Sequence, residues 1–254
     1  MTRTSGYGFG RHVLGAAAFA FGVISFFWHD FDAWQHLQTL SSTPAGDVLV
    51  RIISILEILG GLCIQWRRSE RLGALLLGLI YLFFALICVP RIISRPLSYG
   101  SGFGTLFEEL SLVSGAWIVF FAAEPPSPWR ARALQIGRYL FSICVVSFTL
   151  EQAIYLEATA EFVPKWIPPS QMFWSIATTI AFGLAAIALL SGLMSRLASR
   201  LTTVMIVLFG LLVWVPVVIA DPHTHMNWAG LAQNYAIAGA AWITSDFLNG
   251  YLTQ

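Results

Sequence analysis

The stretch "QNYAIAGAAW" at residues 233–242 repeats, with changes, "EELSLVSGAW" at residues 108–117. Trp242 falls on Trp117. Gly239, Ala240 and Ala241 fall on Ser114, Gly115 and Ala116, while Gln233 and Asn234 fall on Glu108 and Glu109. Small residues in an apolar helix let neighbouring backbones approach closely, so the tails read as packing faces. The tryptophans read as interfacial anchors. The echo is wider. "GRHVLG" (10–15) answers "GRYLFS" (137–142), "RLGALLLGL" (71–79) answers "RLTTVMIVL" (200–208), and "CVPRI" (88–92) answers "WVPVV" (214–218). The chain therefore reads as a doubled unit.

The solvent for that unit follows from composition. Of 254 residues, 57% are hydrophobic and 11% charged, and the mean hydropathy is +0.73. Soluble domains carry roughly 25% charged residues. The bilayer is thus the expected partner. A net charge of +1 lacks the concentrated basic surface that nucleic acid requires. Cys63, Cys88 and Cys144 lie in apolar runs without CxxC spacing. They read as small packing residues rather than as disulfide, zinc or thiol-relay positions.

About 20 apolar residues span the hydrocarbon core as a helix. Eight such stretches are predicted, at approximately 10–28, 48–66, 72–93, 105–123, 134–155, 171–194, 201–220 and 229–249. Spans two and three, and six and seven, are joined by short segments and are predicted hairpins. The expected fold is all-α: eight transmembrane helices forming two four-helix repeats. Residues 1–123 form the first repeat, 124–133 a Pro-rich cytoplasmic linker, and 134–254 the second repeat. Four spans per half return the chain to the same side, so the halves are expected to insert in parallel about a pseudo-two-fold axis. With both termini cytoplasmic, ten of the fourteen Lys and Arg residues fall on the inner side, as the positive-inside bias requires. Most acidic residues then fall toward the outer face. "AWQHLQTL" in the first outer loop reads as a short interfacial helix.

"FVPKWIPPSQMFW" (162–174), a Gly-containing apolar helix and "NWAGLAQNYAIAGAAWITSDFL" (227–248) resemble the DoxX family of bacterial membrane proteins. The likeness covers about 134–248. The first half resembles the family through "GR", "VP" and "EELSLVSGAW", and lacks "FVPKWIPP" between its first two spans. The resemblance implies a tandem, fused pair of four-helix DoxX-like units in the bacterial inner membrane. It also implies a link to quinone-dependent redox chemistry as an auxiliary subunit. Fold carries over more strongly than function.

The candidate sites are intramembrane polar residues. Glu57 lies near the middle of span two, where a charge costs on the order of 3 kcal/mol on insertion scales. Arg91, across the hairpin, is its candidate partner. Glu108 and Glu109 lie near the outer, positive end of span four, where the dipole favours a carboxylate. They point about 100° apart, so one should face the bundle. Gln233 and Asn234 are their neutral counterparts. Glu151 and Gln152 end span five, where snorkelling to the interface is expected. His223 and His225, spaced H-x-H beside Asp221, form a weak metal candidate without supporting motif; solvated loop histidines are the expected reading. No nucleotide loop, haem pair or nucleophile–base pair is evident, so no cofactor is indicated by motif and no catalytic residue is assigned. Three readings follow. The first is a quinone- or redox-linked auxiliary subunit; the second is a transporter or binding protein for a small amphipathic molecule; the third is a structural subunit docked to a larger membrane complex.

Overall fold

The computed structural model describes residues 8–31, 43–96 and 99–251, and every regular element among them is helical. The chain runs α1 (Gly10–Trp28), α2 (Pro44–Cys63), α3 (Glu70–Ser94), a π turn (Gly100–Gly104) leading into α4 (Thr105–Ala122), α5 (Pro128–Ile154), the short α6 (Leu156–Phe162) and α7 (Gln171–Ser191). α8 (Ser195–Phe209) continues through a second π turn (Gly210–Trp214) into α9 (Val215–Ala220), and α10 (His225–Tyr251) closes the chain. Among the described residues, six helical segments are long and apolar enough to cross a membrane: α1, α3, Gly102–Ala122, α5, α7 and Ser195–Ala220. The protein is therefore a multi-pass membrane protein with lipid-facing helices. α2 and α10 stand outside that set. α2 carries Asp47, Arg51 and Glu57, and α10 carries His225, Gln233, Asn234 and Asp246 among its apolar residues. The proposed interfacial helix at "AWQHLQTL", with His36, lies outside the described residues.

Local signals set the helix starts. Pro44 and Pro128 occupy first-turn positions, where a missing N–H costs nothing. The preceding Thr43 and Ser127 cap their helices, accepting from Gly46 N at 3.0 Å and Arg130 N at 3.1 Å. Ser170 likewise accepts from Phe173 N at 3.2 Å to start α7. Gly192 ends α7 at φ +81, a left-handed position that glycine fills without strain. The "FVPKWIPPSQMFW" segment is tied to itself. Gln171 Nε2 donates to Val163 O at 2.6 Å, and Trp174 Nε1 donates to Pro168 O at 2.8 Å.

The long helices pack in a consistent pattern. α1 lies against α2 and α10, α3 against α2 and α4, α5 against α4 and α7, and α8 against α7 and α10. α4 and α10 also meet each other. Gly102–Ala122 is the better enclosed: 61% of its most apolar stretch is buried, against 22% for Ser195–Ala220. Glycines mark the closest approaches. A Cβ on Gly115 would stand 3.0 Å from Ala240 Cβ and 3.1 Å from its Cα. On Gly10 it would stand 2.5 Å from Ile243 N and 2.8 Å from Trp242 C; on Gly137, 2.6 Å from Ile118 Cγ1 and 3.0 Å from Trp117 Cδ1. The "GR" glycines thus seat α1 on the Trp242–Ile243 pair of α10 and α5 on the Trp117–Ile118 pair of α4. The tryptophans are half-buried and do more than anchor an interface. Trp117 donates to Ala133 O at 2.6 Å, and Trp242 stacks on Phe9 at 5.5 Å.

Arginines close the Arg-rich end. Arg130 donates to the α4 carbonyls of Phe121 and Ala122 at 3.1 and 3.0 Å. Arg196 donates to Leu248 O of α10 at 3.0 Å. Cations at helix C-termini meet the negative end of the dipole. Arg11 pairs with Glu70, and Arg71 with Glu124.

Candidate functional site: the polar residues away from the Arg-rich end

Helical register fixes where the adjacent polar pairs point. Glu108 lies seven residues before Gly115, and Gln233 seven before Ala240, two full turns in each case. Glu108 therefore shares the face of α4 turned to α10, and Gln233 the face of α10 turned to α4. Gln233 is buried, and its Nε2 has no hydrogen-bond acceptor among the described residues. Glu109 and Asn234 turn about 100° away. Glu109 is 2% exposed and Glu108 half-buried, so the inward carboxylate is Glu109. It faces α3, where Cys88 lies within electrostatic reach of Glu109, Glu108 and Arg91. Asn234 faces α8; a Cβ on Gly210 would stand 2.8 Å from Asn234 Oδ1.

Glu57 is wholly buried, but the structure does not bring it to Arg91. Leu77 packs over Gly60, and a Cβ on Gly73 would stand 2.5 Å from Ile64 N. This antiparallel register puts Glu57 level with Ile80 and Tyr81. Arg91 is displaced by about ten residues, or about 15 Å of helix. Tyr81 is buried with its ring 6.4 Å from that of Phe21. The pairing predicted from the hairpin therefore fails on register, and Arg91 lies instead within electrostatic reach of Cys88.

Glu151 does not snorkel outward. Its carboxylate lies against the bare backbone of the π turn: a Cβ on Gly100 would stand 3.3 Å from Glu151 Oε1, and one on Gly104 would collide with both carboxylate oxygens. Gly100 N donates to Tyr155 Oη at 3.2 Å, and Tyr99 Oη and Ser147 Oγ share a hydrogen bond of 2.9 Å. The neighbouring Gln152 Oε1 accepts from Thr178 and Thr179 at 3.3 Å. The glycines of "GSGFG" are the signal in the sequence that this carboxylate has a seat. Their significance appears only once α5 is packed on α4.

The H-x-H candidate separates. Asp221 accepts from Thr224 Oγ1 at 2.5 Å and from His223 N at 3.3 Å, shaping the turn into α10. His223 is exposed, as a solvated loop histidine should be. His225 is not. Its side chain is 10% exposed, its ring lies 5.9 Å from Trp28, and its Nδ1 lies 3.7 Å from Asp30 Oδ2. Among the described residues no group of three or more metal-ligating side chains forms.

His225 sits before the apolar part of α10. Burial pulls its imidazole below the ordinary value of 6.5, against the opposing pull of Asp30. The fold thus favours the neutral ring. That contribution is present above pH 6.5 and is lost as pH falls through the lowered folded value. Thermal unfolding in detergent should show the wild type less stable at pH 5.5 than at pH 7.5. His225→Phe, which keeps an aromatic ring on Trp28, should reduce that acid sensitivity. An unchanged pH profile in the variant would exclude His225 as its source.

Searches against family profiles, curated proteins and solved structures return no match to this chain.

Proposed function

We propose that this protein is an eight-span, tandem DoxX-like protein of the bacterial inner membrane, acting as a quinone- or redox-linked auxiliary subunit. Its two four-helix halves insert in parallel with both termini cytoplasmic. Two observations support the repeat. Exchanging α1 with α5, α2 with α7, α3 with α8 and α4 with α10 leaves the set of packed pairs unchanged. The tightest contact on the shared face, Gly115 on Ala240, joins residues that the sequence echo aligns with each other, as an isologous contact requires.

The observation that carries the functional reading is the buried Gln233 amide, whose Nε2 has no acceptor among the described residues; helical register sets it on the face of α10 turned to α4 and Glu108 on the face of α4 turned to α10. A buried amide N–H without an acceptor costs about 1–3 kcal/mol, and a ligand carbonyl would satisfy it. The Glu108 carboxyl opposite, donating when protonated, would meet a second carbonyl, so a ring with two carbonyls fits these groups. Bound there, a quinone would supply the electron-carrying chemistry, while Gln233 and Glu108 would orient its head group. Among the described residues no group of three metal-ligating side chains forms; in this reading a partner subunit would carry the catalysis.

The test uses the whole protein purified in mild detergent and its lipid extract. Wild-type protein should carry quinone. Gln233→Leu should lose it by about tenfold while gaining about 1 kcal/mol of stability, because an unsatisfied buried donor is removed. The opposite signs matter: a merely structural Gln233 would change stability and leave quinone content at background in both proteins. Protein purified free of quinone, with unchanged membrane quinol turnover in a deletion strain, would sink the reading. The transporter reading asks for an open centre between the halves. The backbone-level contact of Gly115 with Ala240 weighs against it.

A further inference from the structure

The two copies of "GR" treat their arginine differently. Arg11 follows Gly10 and Arg138 follows Gly137, and both glycines seat on an equivalent Trp–Ile pair. Arg11 is 8% exposed and pairs with Glu70, the first residue of α3. Arg138 runs to the corresponding turn of its own half, between α7 and α8. Its Nη1 lies 3.7 Å from where a Cβ on Gly192 would stand. That turn, "GLMS" (192–195), carries no charge. In the register set by "RL" at 71–72 and 200–201, the residue matching Glu70 is Ser199. Ser199 is fully buried, and its hydroxyl donates to Arg196 O at 3.1 Å. Arg138 therefore has no carboxylate among the described residues. Its Nε is shielded from solvent and donates to nothing there.

We propose that Arg138 holds the phosphate of an anionic phospholipid at the Arg-rich end of the bundle. A half-buried guanidinium at the rim of a membrane protein calls for a counter-charge, and the first half supplies one that the second half lacks. The guanidinium fork matches a phosphate with two parallel N–H donors. The Tyr139 ring lies 4.4 Å from Arg138 Cζ and holds the guanidinium plane in place. The surroundings select a lipid over a free anion. Ile136, Leu193, Met194 and Leu197 are exposed around this turn and offer acyl chains an apolar rim. The arginines of the neighbouring α8 are engaged: Arg196 caps α10, and Arg200 lies within electrostatic reach of Asp246.

Native mass spectrometry of the detergent-purified chain, titrated with phosphatidylglycerol, phosphatidylcholine or inorganic phosphate, tests this. Wild-type protein should retain one phosphatidylglycerol in preference to phosphatidylcholine. Arg138→Gln should weaken retention about tenfold, the scale of a charge-assisted phosphate contact. Arg132→Gln, an exposed arginine at the same end, should leave it unchanged. Arg138→Lys keeps the charge without the fork, so it should retain the lipid less well than wild type and better than glutamine. It guards against a glutamine variant that fails to fold. Equal retention by wild type, Arg138→Gln and Arg138→Lys would overturn the proposal. So would displacement of the lipid by inorganic phosphate at matched concentration, which would mark a free-anion site. Neither outcome bears on the quinone reading, whose residues lie at the opposite end of α4 and α10.

Discussion

Gly115→Leu should abolish accumulation of folded protein in the membrane, and what is recovered in detergent should unfold far below the wild type. A Cβ at residue 115 would stand 3.0–3.1 Å from Ala240 Cβ and Cα and 3.5 Å from Ile243 Cδ1. A leucine adds three further carbons with no room between α4 and α10. Overpacking a well-packed core costs about 1–3 kcal/mol where side chains can yield. Here one of the neighbours is backbone, so about 3 kcal/mol or more is expected. Gly78→Ala is the contrast. Its Cβ would meet only Ala116 Cβ, at an ordinary 3.5 Å. Removing glycine from a helix then stabilises by up to about 1 kcal/mol. Tryptophan-fluorescence melting of both variants checks the pair. A Gly115→Leu protein that melts with the wild type would mean that α4 and α10 do not cross there.

The second large effect is expected at Glu57. The residue is wholly buried on the face of α2 that α1 covers. A Cβ on Gly22 would stand 2.5 Å from Ser54 O, and one on Gly61 would stand 2.6 Å from Gly15 O. These helices approach backbone to backbone, so a longer side chain cannot swing aside. Glu57→Lys puts a cation where the fold holds a carboxyl group, at a cost of about 3–5 kcal/mol, comparable to breaking a buried pair. No folded protein should be recovered. Glu57→Gln preserves shape and hydrogen-bonding capacity, so it should fold and melt within a few degrees of the wild type. If the proposed quinone site holds, Glu57→Gln should also retain quinone, because Glu57 sits between α1 and α3, away from the face shared by α4 and α10. Normal yield and melting of Glu57→Lys would show that the position is not enclosed. Loss of quinone in a folded Glu57→Gln would move the ligand to the first half.

The helices were legible because their signals are local. Apolar runs of membrane length, Pro44 and Pro128 at first-turn positions, Thr43, Ser127 and Ser170 as caps, and Gly192 as a terminator each act within a few residues. The echo of "EELSLVSGAW" in "QNYAIAGAAW" also told where small residues would pack, because Gly115 and Ala240 are matched in sequence and touch in space. It told, by helical periodicity alone, that only one of Glu108 and Glu109 could face inward.

Other features depended on rotation and sliding between helices, which no local pattern encodes. Glu109 rather than Glu108 is the buried carboxylate because of how α4 is turned against α3 and α10. Arg91 is separated from Glu57 because α2 and α3 pair in a register that sets them about ten residues apart. Glu151 folds onto Gly100 and Gly104 because α5 brings it to the π turn. His225 leaves the H-x-H loop to pack on Trp28 because α1 ends beside α10. By itself the sequence determined an all-helical membrane chain with a doubled pattern of small residues, since length, hydropathy and spacing are properties of single segments. The tertiary structure alone decided which polar groups meet, since that requires the relative height and turn of two helices distant in the chain.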